Sequence, residues 1–161
     1  MGVFSRVPAA VAAVVLASGF AYPAAAAPQH SSVLATRTLQ NLGTQGCLTD
    51  DGEELARVRA CVAGSANQQW EVSGPAVAQQ LRNAATGQCL RDGGAGVAVM
   101  GPCGEQPFAE WASLWIATGP EDARQFRNLS TLQCVAALPG ITAAPIGQCD
   151  DVPAQQWGTA D

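Results

Sequence analysis

The chain has 161 residues, 8 of them basic and 13 acidic, and no lysine, so its formal net charge is −5 at pH 7. An acidic chain without a basic cluster disfavours nucleic acid or an anionic membrane surface as a partner, because both would be repelled. The length predicts one compact domain once the N-terminal segment is set aside.

The first 26 residues have the pattern of a secretory signal peptide. Arg6 gives a positive start, residues 7–20 are apolar, and the small residues that follow offer a cleavage site after Ala26. The alternative is an uncleaved anchor, for which the apolar run is short. We expect a secreted mature chain, 27–161, with a charge of about −6, because loss of Arg6 leaves 7 basic against 13 acidic residues.

Three stretches of the mature chain align without gaps: 38–48, 80–90 and 125–135. Each contains an Asn, a Thr three residues later and a Cys three residues after that. The three sets are Asn41, Thr44 and Cys47; Asn83, Thr86 and Cys89; and Asn128, Thr131 and Cys134. A period of 42 to 45 residues indicates a supersecondary unit that buries its apolar face only against its neighbours. We place the repeats at about 33–74, 75–119 and 120–161.

Each repeat is predicted to consist of short strands. An apolar residue two positions before the Asn begins an apolar–polar alternation, which is typical of a strand with one buried face. The Asn predicts a turn, because its side chain can bond the backbone two residues on. A second strand is expected to begin at the first Cys of the repeat. No helical period persists over a long window, and the chain is predicted to be all-β.

Each repeat ends on a tryptophan: Trp70, Trp115 and Trp157. Rings of this size at equivalent positions are expected to pack together around a pseudo-threefold axis. Gln68 and Gln155 lie two residues before the first and third of these rings. Their amide groups are expected to cross-link neighbouring backbone segments.

Six cysteines in an exported chain predict three disulfides. One bridge within each repeat preserves the threefold regularity, which selects Cys47–Cys61, Cys89–Cys103 and Cys134–Cys149. A zinc site is the rival use of cysteine, but these pairs lack the usual CxxC spacing and have no histidine nearby. We expect no metal and no cofactor.

The Gln-x-Trp ending, the Cys-Leu start and one bridge per repeat, three times over, resemble the ricin-B-type β-trefoil lectins. These also occur as carbohydrate-binding modules on secreted glycoside hydrolases. The resemblance covers roughly 33–159. It implies a β-trefoil of twelve short strands, six in a barrel and six in three closing hairpins, with one repeat per lobe. It also implies a non-catalytic protein that binds carbohydrate.

Lectins of this type hold a sugar in one shallow pocket per lobe. An Asp directly after Cys-Leu accepts from sugar hydroxyls, a ring near the second Cys stacks on the sugar, and an Asn before Gln-x-Trp adds a bond. Here the residue directly after the Cys-Leu or Cys-Val dipeptide of each repeat is Thr49, Arg91 or Ala136. Asp50 and Asp92 come one residue later. No aromatic residue lies between the paired cysteines.

Lobe 1 therefore retains a partial carbohydrate site, formed by Asp50, Asn67 and Gln68. The alternative is that Asp50 belongs to a solvated turn and that Asn67 and Gln68 only brace the loop. The third repeat, with Ala136 and Ala154 at the corresponding positions, is not expected to form a pocket.

Repeat two has extra residues between Cys103 and Trp115, among them Phe108 and Trp111. Trp111 beside Asp92 is the second candidate sugar platform, and the alternative is that both rings cap the barrel. The insertion, residues 104–114, also supports a second hypothesis, in which a monomeric trefoil binds a protein as an inhibitor or accessory subunit.

The residues give little basis for catalysis. The sole histidine, His30, lies close to the start of the mature chain, and the cysteines are assigned to disulfides. The acidic run at 50–54 lacks the spacing of a calcium loop and is interpreted as a solvated face.

Overall fold

The computed structural model describes residues 36–104 and 112–160. The predicted signal peptide, Phe108 and Trp111 lie outside the described residues. Within them the chain forms twelve strands and two short 3₁₀ helices, Ala66–Gln68 and Pro153–Gln155. The strands are β1 Thr36–Asn41, β2 Cys47–Thr49, β3 Arg57–Arg59, β4 Gln69–Ser73, β5 Gln80–Asn83, β6 Cys89–Asp92, β7 Ala98–Gly101, β8 Trp115–Thr118, β9 Arg124–Asn128, β10 Cys134–Val135, β11 Ile146–Gly147 and β12 Gln156–Ala160.

Six strands form a ring, and all their pairs are antiparallel. β1 pairs with β4 and β12, β4 pairs with β5, and β9 pairs with β8 and β12. The ring closes between β5 and β8, where Gln79 and Trp115 exchange two backbone hydrogen bonds of 2.8 Å. The other six strands form the hairpins β2–β3, β6–β7 and β10–β11. The sheet is therefore a barrel with one hairpin per repeat.

The hairpins meet in a ring of backbone hydrogen bonds with threefold symmetry. Ala56 N–H donates to Ala98 O (3.0 Å), Ala98 N–H to Ala144 O (2.8 Å), and Ala144 N–H to Ala56 O (2.9 Å). All three alanines are fully buried. A small side chain is needed where three backbones converge, and the sequence did not reveal this contact in advance.

The core is built from equivalent residues of the three repeats. Trp70, Trp115 and Trp157 are buried, as we expected from their spacing. Each indole N–H donates to the carbonyl of the residue after the first Cys of its own repeat. The acceptors are Leu48 O (2.9 Å), Leu90 O (3.0 Å) and Val135 O (3.2 Å). A buried indole keeps its donor satisfied in this way while its ring fills the core.

The three Asn residues shape equivalent turns. Each side-chain oxygen accepts from the backbone N–H two residues on: Gly43 (3.0 Å) for Asn41, Ala85 (3.0 Å) for Asn83 and Ser130 (2.9 Å) for Asn128. Each amide nitrogen donates to a carbonyl three residues before the Trp of a neighbouring lobe: Ala154, Asn67 and Ala112 respectively. The predicted turn role is confirmed, and the same side chain also joins one lobe to the next.

The disulfides join Cys47 to Cys61, Cys89 to Cys103 and Cys134 to Cys149, which confirms the predicted pairing. Three disulfides fit an oxidising compartment. The all-β trefoil with one bridge per repeat is confirmed by the pairing of the strands. Among the described residues, no helix has the length and hydropathy needed to cross a bilayer.

Candidate functional site

Asp50 lies directly after β2 and is fully buried. One carboxylate oxygen accepts from Gly52 N–H (2.8 Å), and the other accepts from the hydroxyl of Thr86 in lobe 2. Thr86 is 36 residues away in sequence. Both oxygens of the side chain that we expected to face a sugar are thus bonded within the protein, where they close the boundary between lobes 1 and 2.

Asn67 and Gln68 lie close to Asp50, as the partial-site hypothesis requires. The amide nitrogen of Asn67 donates to Asp50 O (2.9 Å), and that of Gln68 donates to the Thr49 hydroxyl (3.1 Å). Gln68 also accepts from Val62 N–H (2.7 Å) and donates to Ala60 O (2.9 Å). The fold brings the three candidate residues together, and their polar groups brace the surrounding loops.

Asp92, in lobe 2, repeats the arrangement of Asp50. Its carboxylate accepts from Gly94 N–H (2.8 Å) and from the Thr131 hydroxyl of lobe 3 (2.5 Å), and the residue is 9% exposed. The predicted ring partner, Trp111, lies outside the described residues. The platform of Asp92 and Trp111 therefore stays a prediction.

An open groove lies next to the lobe 1 candidates. This polar groove has a volume of about 690 Å³. Its floor is formed by the less buried residues of β1, which are Thr36, Arg37, Thr38 and Gln40, whereas Leu39 and Asn41 of the same strand are buried. One wall is the loop Cys61–Gly64, which Gln68 holds through Val62 N–H. Its polar lining is Thr36, Arg37, Thr38, Gln40, Gln69, Glu121 and Thr159.

The lining of the polar groove is rich in hydroxyl and amide groups. Gln69 donates to the Thr38 hydroxyl (2.8 Å) across the β1–β4 pair, and Gln40 donates to Gln45 O (3.0 Å). Arg37 lies 3.5 Å from the Glu121 carboxylate at one end. The groove was not predicted from the sequence, because the alternation along β1 indicates only which residues are buried.

A second groove lies where lobe 3 meets lobe 1. This apolar groove, of about 650 Å³, is lined by the turn 43–46, by Val58 and Arg59, and by the loop 138–142. Leu138 and Ile141 on that loop are 41% and 48% exposed. It differs from the polar groove in presenting mainly aliphatic carbon.

The described residues do not form a metal centre. No group of three or more His, Cys, Asp or Glu side chains in 36–104 and 112–160 is arranged to hold an ion. The acidic run is instead paired with arginines: Arg59 with Asp51 (2.8 Å), and Arg57 with the carboxylate of Glu53. Residues 51–54 are exposed, in agreement with the solvated face that we expected, but Asp50 is fully buried, so the expectation is wrong for the first residue of the run.

Solved structures with low sequence identity share this fold. A GlcNAcα1-4Gal-releasing endo-β-galactosidase from Clostridium perfringens superposes with a TM-score of 0.66 at 16% identity, over 77% of this chain and 31% of that one. The designed threefold-symmetric protein ThreeFoil gives 0.65 at 13% identity, over 78% of this chain and 98% of that one. A Polyporus squamosus lectin, bound to the epitope Neu5Acα2-6Galβ1-4GlcNAc, gives 0.60 at 18% identity, over 77% and 47%.

No protein-family model and no curated protein sequence matches the chain. The chain spans about a third of the galactosidase and nearly all of the designed protein. Likeness at this level of identity concerns architecture alone, since one fold carries many functions. The chain is a β-trefoil.

Proposed function

We propose that this protein is an exported, non-catalytic β-trefoil that binds carbohydrate. The observation that carries the proposal is the polar groove, which has a volume of about 690 Å³ and is lined by hydroxyls and side-chain amides. Sugar hydroxyls both donate and accept hydrogen bonds, and Thr and Gln side chains do the same. The occurrence of the fold in a fungal lectin and in a glycosidase supports this assignment.

The affinity of the groove is expected to be low. No aromatic ring lines it, so the dispersion surface that usually stacks on a pyranose is missing there. Bonds to a sugar replace bonds to water, and the net gain per hydrogen bond is only about 1 kcal/mol. We therefore expect dissociation constants of about 1 mM, which corresponds to roughly −4 kcal/mol.

The site residues predicted from the sequence would contribute to sugar binding in different ways. Gln68 positions the loop wall of the groove, so its effect on sugar binding would be indirect. A sugar hydroxyl would reach Asp50 or Asp92 only by replacing the Thr hydroxyl that each carboxylate now accepts from. Trp111 is proposed as a stacking ring beside Asp92.

Export and the lack of catalysis are part of this proposal, and the sequence supports both. The first 26 residues match a signal peptide, and three disulfides suit the compartment beyond it. The chain has one histidine, His30, and its cysteines are bonded, so neither supplies a nucleophile or a general base.

The experiment is a glycan array followed by titration calorimetry with cell-wall polysaccharides at millimolar protein. The double variant Gln40→Ala/Gln69→Ala is expected to lose most of the binding. The matched control is Gln156→Ala, because Gln156 precedes Trp157 as Gln69 precedes Trp70 but lies outside the groove. Binding that survives the double variant, or falls equally in the control, would remove the groove from the proposal.

Absence of binding to every glycan would leave the second hypothesis, recognition of a protein through residues 104–114. Residues 105–111 lie outside the described part of the chain, so this stays a prediction from sequence. Capture of a partner from culture medium, lost in Phe108→Ala/Trp111→Ala with the melting temperature unchanged, would support it.

A further inference from the structure

Seven arginines lie in the described part of the chain, and they fall into two classes. Five have a carboxylate partner: Arg37, Arg57, Arg59, Arg82 and Arg124. Arg91 and Arg127 have no ion pair with any described residue. The Nε atom of each is also buried and without a hydrogen-bond partner. A buried Nε–H group without an acceptor is costly, so these two residues need an explanation.

Arg91 occupies a special position in the repeat. It follows Cys89-Leu90, as Thr49 follows Cys47-Leu48 in lobe 1. In lobe 1 this position faces the Gln-x-Trp segment, because Gln68 donates to the Thr49 hydroxyl at 3.1 Å. Lobe 2 presents an arginine at the same place.

The positions of Arg91 and Thr49 are equivalent in the structure as well as in the sequence. Trp115 N–H donates to Leu90 O (3.0 Å) in the way that Trp70 N–H donates to Leu48 O (2.9 Å). The segment before each Trp therefore meets the start of the hairpin in the same manner. Ser113, two residues before Trp115, stands where Gln68 stands in lobe 1. A serine is shorter than a glutamine, which leaves more room for the longer arginine.

Gly101 accommodates the guanidinium of Arg91. A Cβ atom at Gly101 would lie 3.0 Å from Arg91 Nη1 and 3.1 Å from its Cδ. The strand pairing that places Gly101 opposite Cys89 places Arg59 opposite Cys47 in lobe 1. The absence of a side chain at Gly101 thus leaves the space beside β7 that the side chain of Arg91 occupies.

We propose that Arg91 anchors an anion subsite in lobe 2 that takes the carboxylate of an acidic sugar. This inference rests on the proposed carbohydrate-binding function and names a ligand class for it. A planar guanidinium offers parallel N–H donors that match the two oxygens of a carboxylate. The protein as a whole is acidic, so an anionic sugar gains nothing from the net charge and must be recognised by a local group.

The test compares acidic sugars with their neutral counterparts on the full mature chain. Trigalacturonate is titrated against its carboxyl-reduced form, and sialyllactose against lactose, at two salt concentrations. At least one acidic sugar should bind about tenfold or more tightly than its neutral partner, because hydrogen bonds to charged groups are the stronger class. The preference should shrink at high salt.

Three variants locate the effect. Arg91→Ala should abolish the preference for the acidic sugar, and Arg91→Lys should restore only part of it, because the charge returns without the planar fork. Gly101→Ala should weaken the preference by displacing the guanidinium. Arg127→Ala is the matched control, because it removes the other unpaired, partly buried arginine and changes the net charge equally. Melting temperatures show whether each variant is folded.

The outcomes separate this inference from the proposed function. Binding of neutral and acidic sugars with equal affinity overturns the subsite and leaves carbohydrate binding standing. Equal loss of preference in Arg91→Ala and Arg127→Ala assigns the effect to net charge and also overturns the subsite. Binding of a glutamate-rich peptide, with no binding of any sugar, overturns both and assigns Arg91 to a protein partner.

Discussion

The first two boundaries between lobes are built differently from the third. Asp50 of lobe 1 accepts from Thr86 of lobe 2, and Asp92 of lobe 2 accepts from Thr131 of lobe 3. Ala137 stands at the corresponding place in lobe 3, where its N–H donates to Ala154 O at 2.8 Å as Asp50 N–H donates to Asn67 O at 3.0 Å. The third boundary thus has the same backbone hydrogen bond as the first but lacks the Asp–Thr hydrogen bond between side chains.

The third boundary has lost more than the carboxylate. Gly52 and Gly94 supply the N–H groups that hold Asp50 and Asp92, and the equivalent residue in lobe 3 is Pro139, which has no N–H. The hydroxyl of Thr44, without an acidic partner, lies 3.2 Å from the side-chain oxygen of Asn41 in its own turn. The apolar groove lies at this boundary. The backbone, Asn and Trp contacts therefore suffice to form a boundary, and the Asp–Thr link is an additional contact at the first two boundaries.

The largest effect is expected from the device that all three boundaries share. Replacement of Asn41, Asn83 or Asn128 by Ala should each lower the free energy of unfolding by about 3 kcal/mol, because each leaves several buried backbone groups unpaired. Chemical denaturation of the three variants measures this. A boundary that tolerated the loss would contradict the view that Asn is the common link.

A smaller and unequal effect is expected from the Asp–Thr links. Asp50→Ala should lower the free energy of unfolding by about 2 kcal/mol, since Gly52 N–H and the Thr86 hydroxyl lose a charged acceptor. A double-mutant cycle with Thr86→Val should give a coupling energy of about 1 kcal/mol. The matched control is Thr44→Val, which breaks no link between lobes and should change stability less. Additive effects of Asp50→Ala and Thr86→Val would show that the link contributes nothing.

The sequence predicts those features that depend on local signals repeated three times. The strands, the Asn turns, the buried Trp residues and the disulfide pairing all follow from such signals. The direction of the Asp50 and Asp92 side chains could not be predicted from local signals, because their partners lie 36 and 39 residues away in the next lobe. The converging alanine backbones at Ala56 and its equivalents were equally invisible, since they depend on how three distant hairpins meet. Sequence reasoning therefore identified the lobe 1 candidates as neighbours but gave no account of what their polar atoms bond.

An Asp–Thr link can be introduced by mutation at the boundary between lobes 3 and 1, where it is missing. Ala137→Asp alone should lower the free energy of unfolding by about 1–3 kcal/mol, because a fully buried carboxylate would have Thr44 as its nearest donor and no loop N–H. Adding Pro139→Gly supplies that N–H and should recover at least half of the loss. Thermal and chemical unfolding of the single and double variants measure both changes. A single variant as stable as the unmodified protein would show that the loop donor is not needed to hold the acid.

The smallest effect concerns one backbone position that is left-handed in each repeat. Gln45 and Leu132 have φ of 59°, and Gly87, their equivalent in lobe 2, has φ of 71°. A residue with a side chain is strained by about 1 kcal/mol or more in this conformation. Glycine removes this strain, but it also makes the unfolded chain more flexible, which offsets part of the gain in stability. Leu132→Gly should therefore raise the free energy of unfolding by about 0.5 kcal/mol. Leu132 is the better test, because it is 56% exposed whereas the Gln45 amide bonds Leu42 O.

The matched control for Leu132→Gly is Gly87→Ala, which places a side chain at the same backbone position in lobe 2. It should lower the free energy of unfolding by about 1 kcal/mol, because alanine is strained at positive φ. Its Cβ would also lie 3.2 Å from Arg82 Nη2. Urea denaturation of both variants under identical conditions measures the two changes. Loss of stability in Leu132→Gly would mean that the Leu132 side chain makes a compensating contact, and lobe 3 would then differ from lobe 2 at this turn as well as at its boundary.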